Sequence, residues 1–369
     1  MIVKNNYNEC LTNLACFIRK YFGLNTKHNS LPYMDKLLEK KQPKNVVVIL
    51  FDGMGSRILD RTLSTESFFN KNRIKEITTV FPATTTAATA SIRTGLNPIE
   101  HGWLGWNMYI SSINETITLF KDSPKGNEEK ISDSFLKVKD KLVQKTIVDE
   151  INQDTNFSAV EITPFSKTTY TDLEDMLKIV KNACQKDGKK YIYAYDTEPD
   201  HTMHELGPND VKVKELIKIR NDKVEKLCNE LQDAIIIVVA DHGHKEVEPI
   251  FLEKQYPEIM EMLERTTSLE PRAVSFKVKK GYEENFKKTF NKNLGKDFIL
   301  YDKQEIIDSH LFGDGAENEL FREALGDFIA IAENSNKCIL TTGDKELKSQ
   351  HAGYSEDEIY VPLIVIDKS

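Results

Sequence analysis

Three short, nearly unbroken runs of apolar and aromatic residues, Val46 to Phe51, Tyr191 to Tyr195 and Ala234 to Ala240, constrain this chain most. They are too short for typical helices and rich in β-branched or aromatic residues, so they read as strands. A strand that is apolar at every position has no face to show to water and must be covered on both sides. That is the condition of a parallel sheet between helical layers. Ile77 to Phe81 and Val361 to Ile366 have the same character, and amphipathic stretches at Thr171 to Lys186, Asp210 to Leu231 and Leu252 to Glu264 supply helices between them. The alternation predicts an α/β fold with a mostly parallel central sheet and helices on both faces. Residues 1–44 read as an N-terminal helical extension, and 45–270 with 334–369 as the main α/β domain. Residues 271–333 have their own rhythm of strand, helix, strand and strand (Ala273 to Val278, Glu283 to Asn293, Phe298 to Tyr301, Phe328 to Ala332), expected to form a small inserted α+β cap that covers the site and shapes a leaving-group pocket.

Composition narrows the function classes. The formal charge of -8, with lysines interspersed among acids, argues against a nucleic-acid partner. No stretch approaches the roughly 18 apolar residues that span a bilayer, so no membrane partner is expected. Met1 to Tyr21 lacks the apolar run and small-residue site of a secretory signal. Cys10, Cys16, Cys184, Cys228 and Cys338 are odd in number and scattered, which suits buried free thiols in a reducing cytoplasm.

The chemistry concentrates where the strands end. Asp52 follows Val46 to Phe51 and precedes Gly53, at the carboxyl end of a strand where open α/β sheets place ligands, although an acid there often only caps the next helix. Thr84, Thr85 and Thr86 follow Pro82 at a helix start, whose free N–H groups and dipole favour an anionic oxygen. Asp200 and His204 are four apart, so one helical turn brings both toward one cation. Asp241 and His242 end the Ala234 to Ala240 run, with Gly243 permitting a sharp turn; His244 is expected to point elsewhere if His242 points in. His351, before the closing strand, completes two sets: Asp52, Thr85, Asp241 and His242 for one ion, and Asp200, His204 and His351 for the other. Three carboxylates and one alkoxide balance the charge of two dications. The mixed nitrogen and oxygen donors suit Zn²⁺ best, with Mn²⁺ or another transition metal also accommodated.

Taken in order, Asp52-Gly53, Phe81-Pro82-x-x-Thr85, Thr94-Gly95-Leu96-x-Pro98-x-x-His101-Gly102, Pro199-Asp200-x-x-x-His204-x-x-Gly207-Pro208, Asp241-His242-Gly243 and His351 before Gly353 resemble the alkaline phosphatase superfamily. Within it the pattern is similar to the type I phosphodiesterase and nucleotide pyrophosphatase branch, over most of residues 45–265 and 335–369. The resemblance implies an alkaline phosphatase-like fold and a metal-dependent phosphohydrolase acting on a small phosphorylated substrate. It makes Thr85 the nucleophile, forming a phosphothreonine intermediate. It also implies an asparagine that donates to the non-attacked phosphoryl oxygen; strict spacing lands on Trp106, and Asn107 comes one residue late. Trp103 and Trp106 can stack on a planar leaving group or simply pack. Phosphonate hydrolysis and phosphomonoester hydrolysis are the nearest alternatives, with Arg93 the nearest phosphate-binding cation for a monoester. A noncatalytic metal-binding protein is the remote one. A sulfatase would need a Cys or Ser nucleophile in a Cys-x-Pro-x-Arg context, which is absent.

Overall fold

The computed structural model describes residues 5–127, 129–142 and 144–369. Its central sheet has six strands in the spatial order Arg73–Thr78, Tyr360–Asp367, Ala234–Val239, Asn45–Phe51, Lys190–Asp196 and Ser158–Ile162. Asn45–Phe51 lies parallel to Ala234–Val239 and to Lys190–Asp196, and the last is parallel to Ser158–Ile162. These three inner strands are buried at every position, as their unbroken apolar runs require.

Tyr360–Asp367 departs from the expected arrangement, running antiparallel to both of its neighbours. Its apolar pattern records burial and carries no information about direction. The strand expected at Ile77 to Phe81 lies earlier, at Arg73–Thr78; Val80 and Phe81 are buried in the following loop, where the Phe81 ring meets Phe312 and Tyr354. Ser158–Ile162 is an edge strand whose exposed serine and half-buried Glu161 hide it from an apolar reading. Helices form at Leu173–Gln185 and Val211–Glu230, while Pro257 divides the third amphipathic stretch into Leu252–Gln255 and Pro257–Glu261.

Residues 1–4 of the N-terminal extension lie outside the described residues. The rest forms helices Leu11–Tyr21 and Pro32–Lys41. The first packs on helix Thr85–Thr94: Arg19 donates to the Thr94 carbonyl at 3.0 Å and also pairs with Glu150 at 2.7 Å. All five cysteines are buried and free. Among the described residues no helix is long and apolar enough to cross a membrane.

A second sheet of seven strands has the order Phe298–Asp302, Phe328–Ala332, Ala273–Phe276, Ser268–Glu270, Asn107–Ile110, Glu115–Thr118 and Ser123–Pro124, antiparallel throughout. It is therefore not confined to 271–333. Three strands come from the stretch after Trp106, too short and too polar to declare themselves in the sequence, and Leu269 pairs with Asn107 where the two contributions meet.

An ion pair with no exposed surface joins the second sheet to the segment after His351. The Arg272 guanidinium grips both Glu358 oxygens at 2.6 and 2.8 Å and donates to the Lys337 carbonyl at 2.7 Å. Glu358 in turn accepts from the Gly353 N–H at 2.8 Å and the Ser355 hydroxyl at 2.6 Å. Burial opposes the charge, but Arg272 holds the Glu358 carboxyl below its ordinary range. Removing one partner strands the other's charge in the interior, so Glu358→Ala is expected to cost about 3–5 kcal/mol in urea unfolding. A loss under about 1 kcal/mol would mean that the pair does not anchor this segment.

Candidate metal centre and nucleophile

The carboxyl ends of the inner strands deliver acids to one place. Asp52 follows Phe51, Asp241 follows Ala240, and Asp200 opens the short helix Asp200–Leu206 just beyond Lys190–Asp196. Its backbone N–H donates to the Asp52 carbonyl at 3.1 Å, so the two turns are tied together. Gly53, at φ +71°, allows this close approach. A Cβ there would come within 2.8 Å of Met203, 2.9 Å of His244 and 3.0 Å of Asp200.

Thr85 begins the helix Thr85–Thr94. The N-cap Thr84 does not cap it, because its hydroxyl donates instead to Glu270 at 2.6 Å. The Thr85 hydroxyl lies 3.1 Å from His242 Nε2 and 3.5 Å from Asp52 Oδ1, and is buried. Helix dipole and free N–H groups there favour an oxygen that carries negative charge. One turn on, Thr89 donates to the Thr85 carbonyl at 2.7 Å. The helix ends at Gly95 in the left-handed conformation, where a Cβ would meet Arg19 at 2.7 Å.

Donor atoms of Asp200, His204, His244 and His351 all lie within 4.8 Å of one another, and so do those of Asp52, Asp200 and His242. The expected pair of ligand groups is thus brought together with two differences. Asp200 belongs to both clusters, whereas Asp241 borders the second: its Oδ1 accepts from the N–H groups of Gly53 and His242, each at 3.0 Å, and its Oδ2 is 3.5 Å from His242 Nε2. His244, expected to point elsewhere, faces Asp200. Gly243 does not make a left-handed turn. Its smallness is needed because a Cβ would run into the Asp357 carbonyl oxygen at 2.0 Å. The His242 and His244 rings stay near one another, with centroids 5.6 Å apart.

The electrostatics of this cluster call for cations. Burial, then the charges of Asp241 and Asp200, drive Asp52 well above the ordinary carboxylate range, although the Tyr195 hydroxyl donates to it. Burial also raises Asp241, whose Oδ2 finds no hydrogen-bond partner among the described residues. Asp200 goes the other way: burial opposes its charge, but His204 and His244 hold it well below its usual value. Burial pushes His244 down to about 4 and His351 well below the usual imidazole value. Close acids that resist ionisation, basic rings that resist protonation and an orphaned carboxylate oxygen are what a polyvalent cation resolves. The donor set fits metal ions.

Asn107 is buried at the start of Asn107–Ile110, and its Oδ1 accepts from Thr118 at 2.7 Å, which turns the amide NH₂ the other way. Trp106 donates its backbone N–H to the same Glu270 oxygen that takes Thr84, at 2.6 Å. Glu270 is a residue that sequence reasoning missed. It links the second sheet to the loop before Thr85, and burial lifts its carboxyl to about 7. Trp103 anchors its indole N–H on the Leu142 carbonyl at 2.7 Å, and both indoles pack against Phe120 at 5.9 and 5.6 Å.

A cavity of about 610 Å³ is lined by Trp103, Phe120 and Phe165 among others, and by Thr89 and Tyr195, which bond to the Thr85 carbonyl and to Asp52. Among the described residues, none of its lining comes from 271–333. Arg93 lines it too, but its guanidinium is held by Glu161 at 2.7 Å. His101 is structural: buried, held down to about 3 by burial, it accepts the Trp103 N–H at 3.0 Å and contacts Ser91 Oγ at 3.0 Å.

Comparison with known proteins decides the family. A sequence model of type I phosphodiesterase / nucleotide pyrophosphatase matches residues 46–355. The chain belongs to that family. It is a metal-dependent hydrolase acting on phosphoric ester or anhydride bonds. Its fold is the alkaline phosphatase-like one seen in several solved structures. An inactive threonine-to-alanine form of murine ectonucleotide pyrophosphatase / phosphodiesterase 5 in complex with AMP is 20% identical, with a TM-score of 0.65 over 86% of this chain and 87% of that one. The human ectonucleotide pyrophosphatase / phosphodiesterase 5 gives 18% and 0.65, over 87% of each chain. Phosphonoacetate hydrolase from Sinorhizobium meliloti 1021, in complex with phosphonoformate, gives 15% and 0.62 over 88% and 90%. No curated protein matches the chain in sequence.

Proposed function

We propose that this phosphohydrolase cleaves phosphodiester or phosphoanhydride bonds of a nucleotide-like substrate, with Thr85 as nucleophile and a phosphothreonine intermediate. The observation that carries the reading is the Thr85 hydroxyl, 3.1 Å from His242 Nε2 at an uncapped helix N-terminus within the acid and imidazole cluster. Asp52, Thr85, Asp241 and His242 would hold one dication and Asp200, His204 and His351 the other, with Zn²⁺ best suited to these donors. Such ions, when bound, supply charge neutralisation and Lewis acidity at the phosphoryl group. Thr85 Oγ1 gives up its proton and bonds to phosphorus as the bond to the leaving oxygen breaks, and the leaving group departs with its electron pair and takes up a proton from solvent. Water then displaces Thr85 from phosphorus and restores the hydroxyl. The Asn107 NH₂ serves as donor to a non-attacked oxygen. That a threonine-to-alanine form of the murine relative is inactive, and binds AMP, supports both the nucleophile and the substrate class.

The cavity favours diesters over monoesters. Its volume lies within the roughly 300–1,000 Å³ of small-molecule sites, and Trp103, Phe120 and Phe165 offer ring faces to a planar leaving group. Arg93, engaged by Glu161, is not free to clamp the extra charge of a monoester. In assays of a bis-aryl phosphodiester, its aryl monoester and phosphonoacetate, kcat/KM for the diester is expected to exceed that for the others by about tenfold or more. Phosphonoacetate as the best substrate would move the assignment to phosphonate hydrolysis. No chelator-sensitive turnover of any of the three would refute the reading.

A further inference from the structure

His244 has no assigned role, yet it is fully buried beside the Asp200 cluster, its ring centroid 4.7 Å from that of His204 and 5.3 Å from that of His351. Its tautomer can be read from its neighbours. His244 Nδ1 lies 2.9 Å from Ser349 Oγ, and Ser349 spends its own proton on the Met203 carbonyl at 2.7 Å. Ser349 Oγ can then only accept, so His244 Nδ1 carries the hydrogen. The neutral ring is left with a lone pair on Nε2, and that lone pair is aimed at Asp200 Oδ1. Two buried acceptors do not face one another unless a cation or a proton lies between them, and the donor atoms of Asp200, His204, His244 and His351 all lie within 4.8 Å of one another, the grouping that a single cation needs.

The neighbouring imidazoles repeat the pattern. His204 Nδ1 donates to the Ser349 carbonyl at 2.8 Å and His351 Nδ1 to the Ala83 carbonyl at 3.0 Å. In each case the outer nitrogen is pinned by a protein acceptor and Nε2 is left to bind, as second-sphere partners do for metal-bound histidines. Serine is the partner for His244, and the missing side chain of Gly53 makes room for its ring.

We propose that His244 is a fourth protein ligand to the cation held by Asp200, His204 and His351, so that side chains alone fill that site. The inference rests on the two-cation reading above. A site filled by four protein donors holds its ion tightly.

The test is a Zn²⁺ titration of metal-free protein against a chromophoric chelator. The wild-type chain is expected to show two ions of unequal affinity. Loss of a second-sphere partner costs about 10–100-fold in affinity, so Ser349→Ala should weaken the tighter class by that much and His244→Ala by more than about 100-fold. X-ray absorption at the zinc edge of the one-zinc form should show three imidazoles in the wild type. Two imidazoles there, or a tight class that His244→Ala leaves intact or weakens no more than Ser349→Ala, would overturn the inference. Should His244→Ala fail to fold, the Ser349→Ala titration and the wild-type spectrum carry the same decision. Fewer than two ions in the wild-type chain would reject the two-cation reading itself. Two classes that ignore His244 would reject only the fourth ligand.

Discussion

Thr85→Ala is expected to lower kcat on a chromogenic phosphodiester by at least about 10⁴-fold, the range seen when an enzyme loses its nucleophile. That is about 5.5 kcal/mol of transition-state stabilisation. The size follows from what the side chain would do: it supplies the oxygen that bonds to phosphorus, and two nearby threonine hydroxyls are engaged elsewhere. Thr84 is turned to Glu270 and Thr89 to the Thr85 carbonyl. Thr85→Ser keeps an oxygen at the helix N-terminus and should retain turnover well above the alanine form. Mass spectrometry of acid-quenched wild-type enzyme should find one phosphoryl group on the peptide holding Thr85. Turnover unchanged in Thr85→Ala, or the phosphoryl group on Thr84 or Thr86, would shift or remove the assignment. Zn²⁺ binding to the variant separates a lost nucleophile from a collapsed site, because Asp52, Asp241 and His242 remain.

Much of this site is legible in the sequence because its geometry is local. An unbroken apolar run fixes a buried strand, and the acid after it is fixed at the strand's end; that is how Asp52 and Asp241 could be read. Four residues of helix place Asp200 and His204 on one side. What is nonlocal is hidden. The direction of Tyr360–Asp367 is invisible because burial looks the same either way. The second sheet is assembled from stretches more than a hundred residues apart, joined at Asn107 and Leu269, and no periodicity signals that pairing. Glu270 is one acid among many until Thr84 and Trp106 are seen donating to it. His244 is hidden for a further reason: Gly243 reads as a turn that would aim the ring away, whereas the glycine is required by the nearby Asp357 carbonyl and the two imidazoles stay 5.6 Å apart.

Removing the cations should abolish turnover and also invert how stability depends on pH. Loss of Lewis-acid and charge-neutralising help costs several kcal/mol, so chelation is expected to lower kcat about 10³-fold or more. In the metal-free chain, burial raises Asp52 and Asp241 above the usual carboxylate range and Glu270 to about 7. For each, the unfolded chain loses its proton first as pH rises, so between the unfolded and folded values the native state binds more protons. Stability therefore falls with rising pH through that window, and the full penalty is present above the folded value. For Glu270 the window runs from about 4.3 in the unfolded chain up to its folded value, a difference worth roughly 4 kcal/mol. Asp200 has the opposite sign: held low by His204 and His244, it stabilises above its unfolded value and loses that contribution only in acid. Bound cations reverse the picture for Asp52 and Asp241, because ligands must shed protons to bind and the ions stabilise the native state by mass action. Thermal unfolding with and without chelator should then show the gap between the two forms widening as pH rises above the ordinary carboxylate range, with Glu270→Gln flattening the metal-free curve near neutrality. A metal-free chain that grows more stable through neutral pH would mean that these carboxyls ionise without help, and the case for cations in this cluster would lose its electrostatic basis.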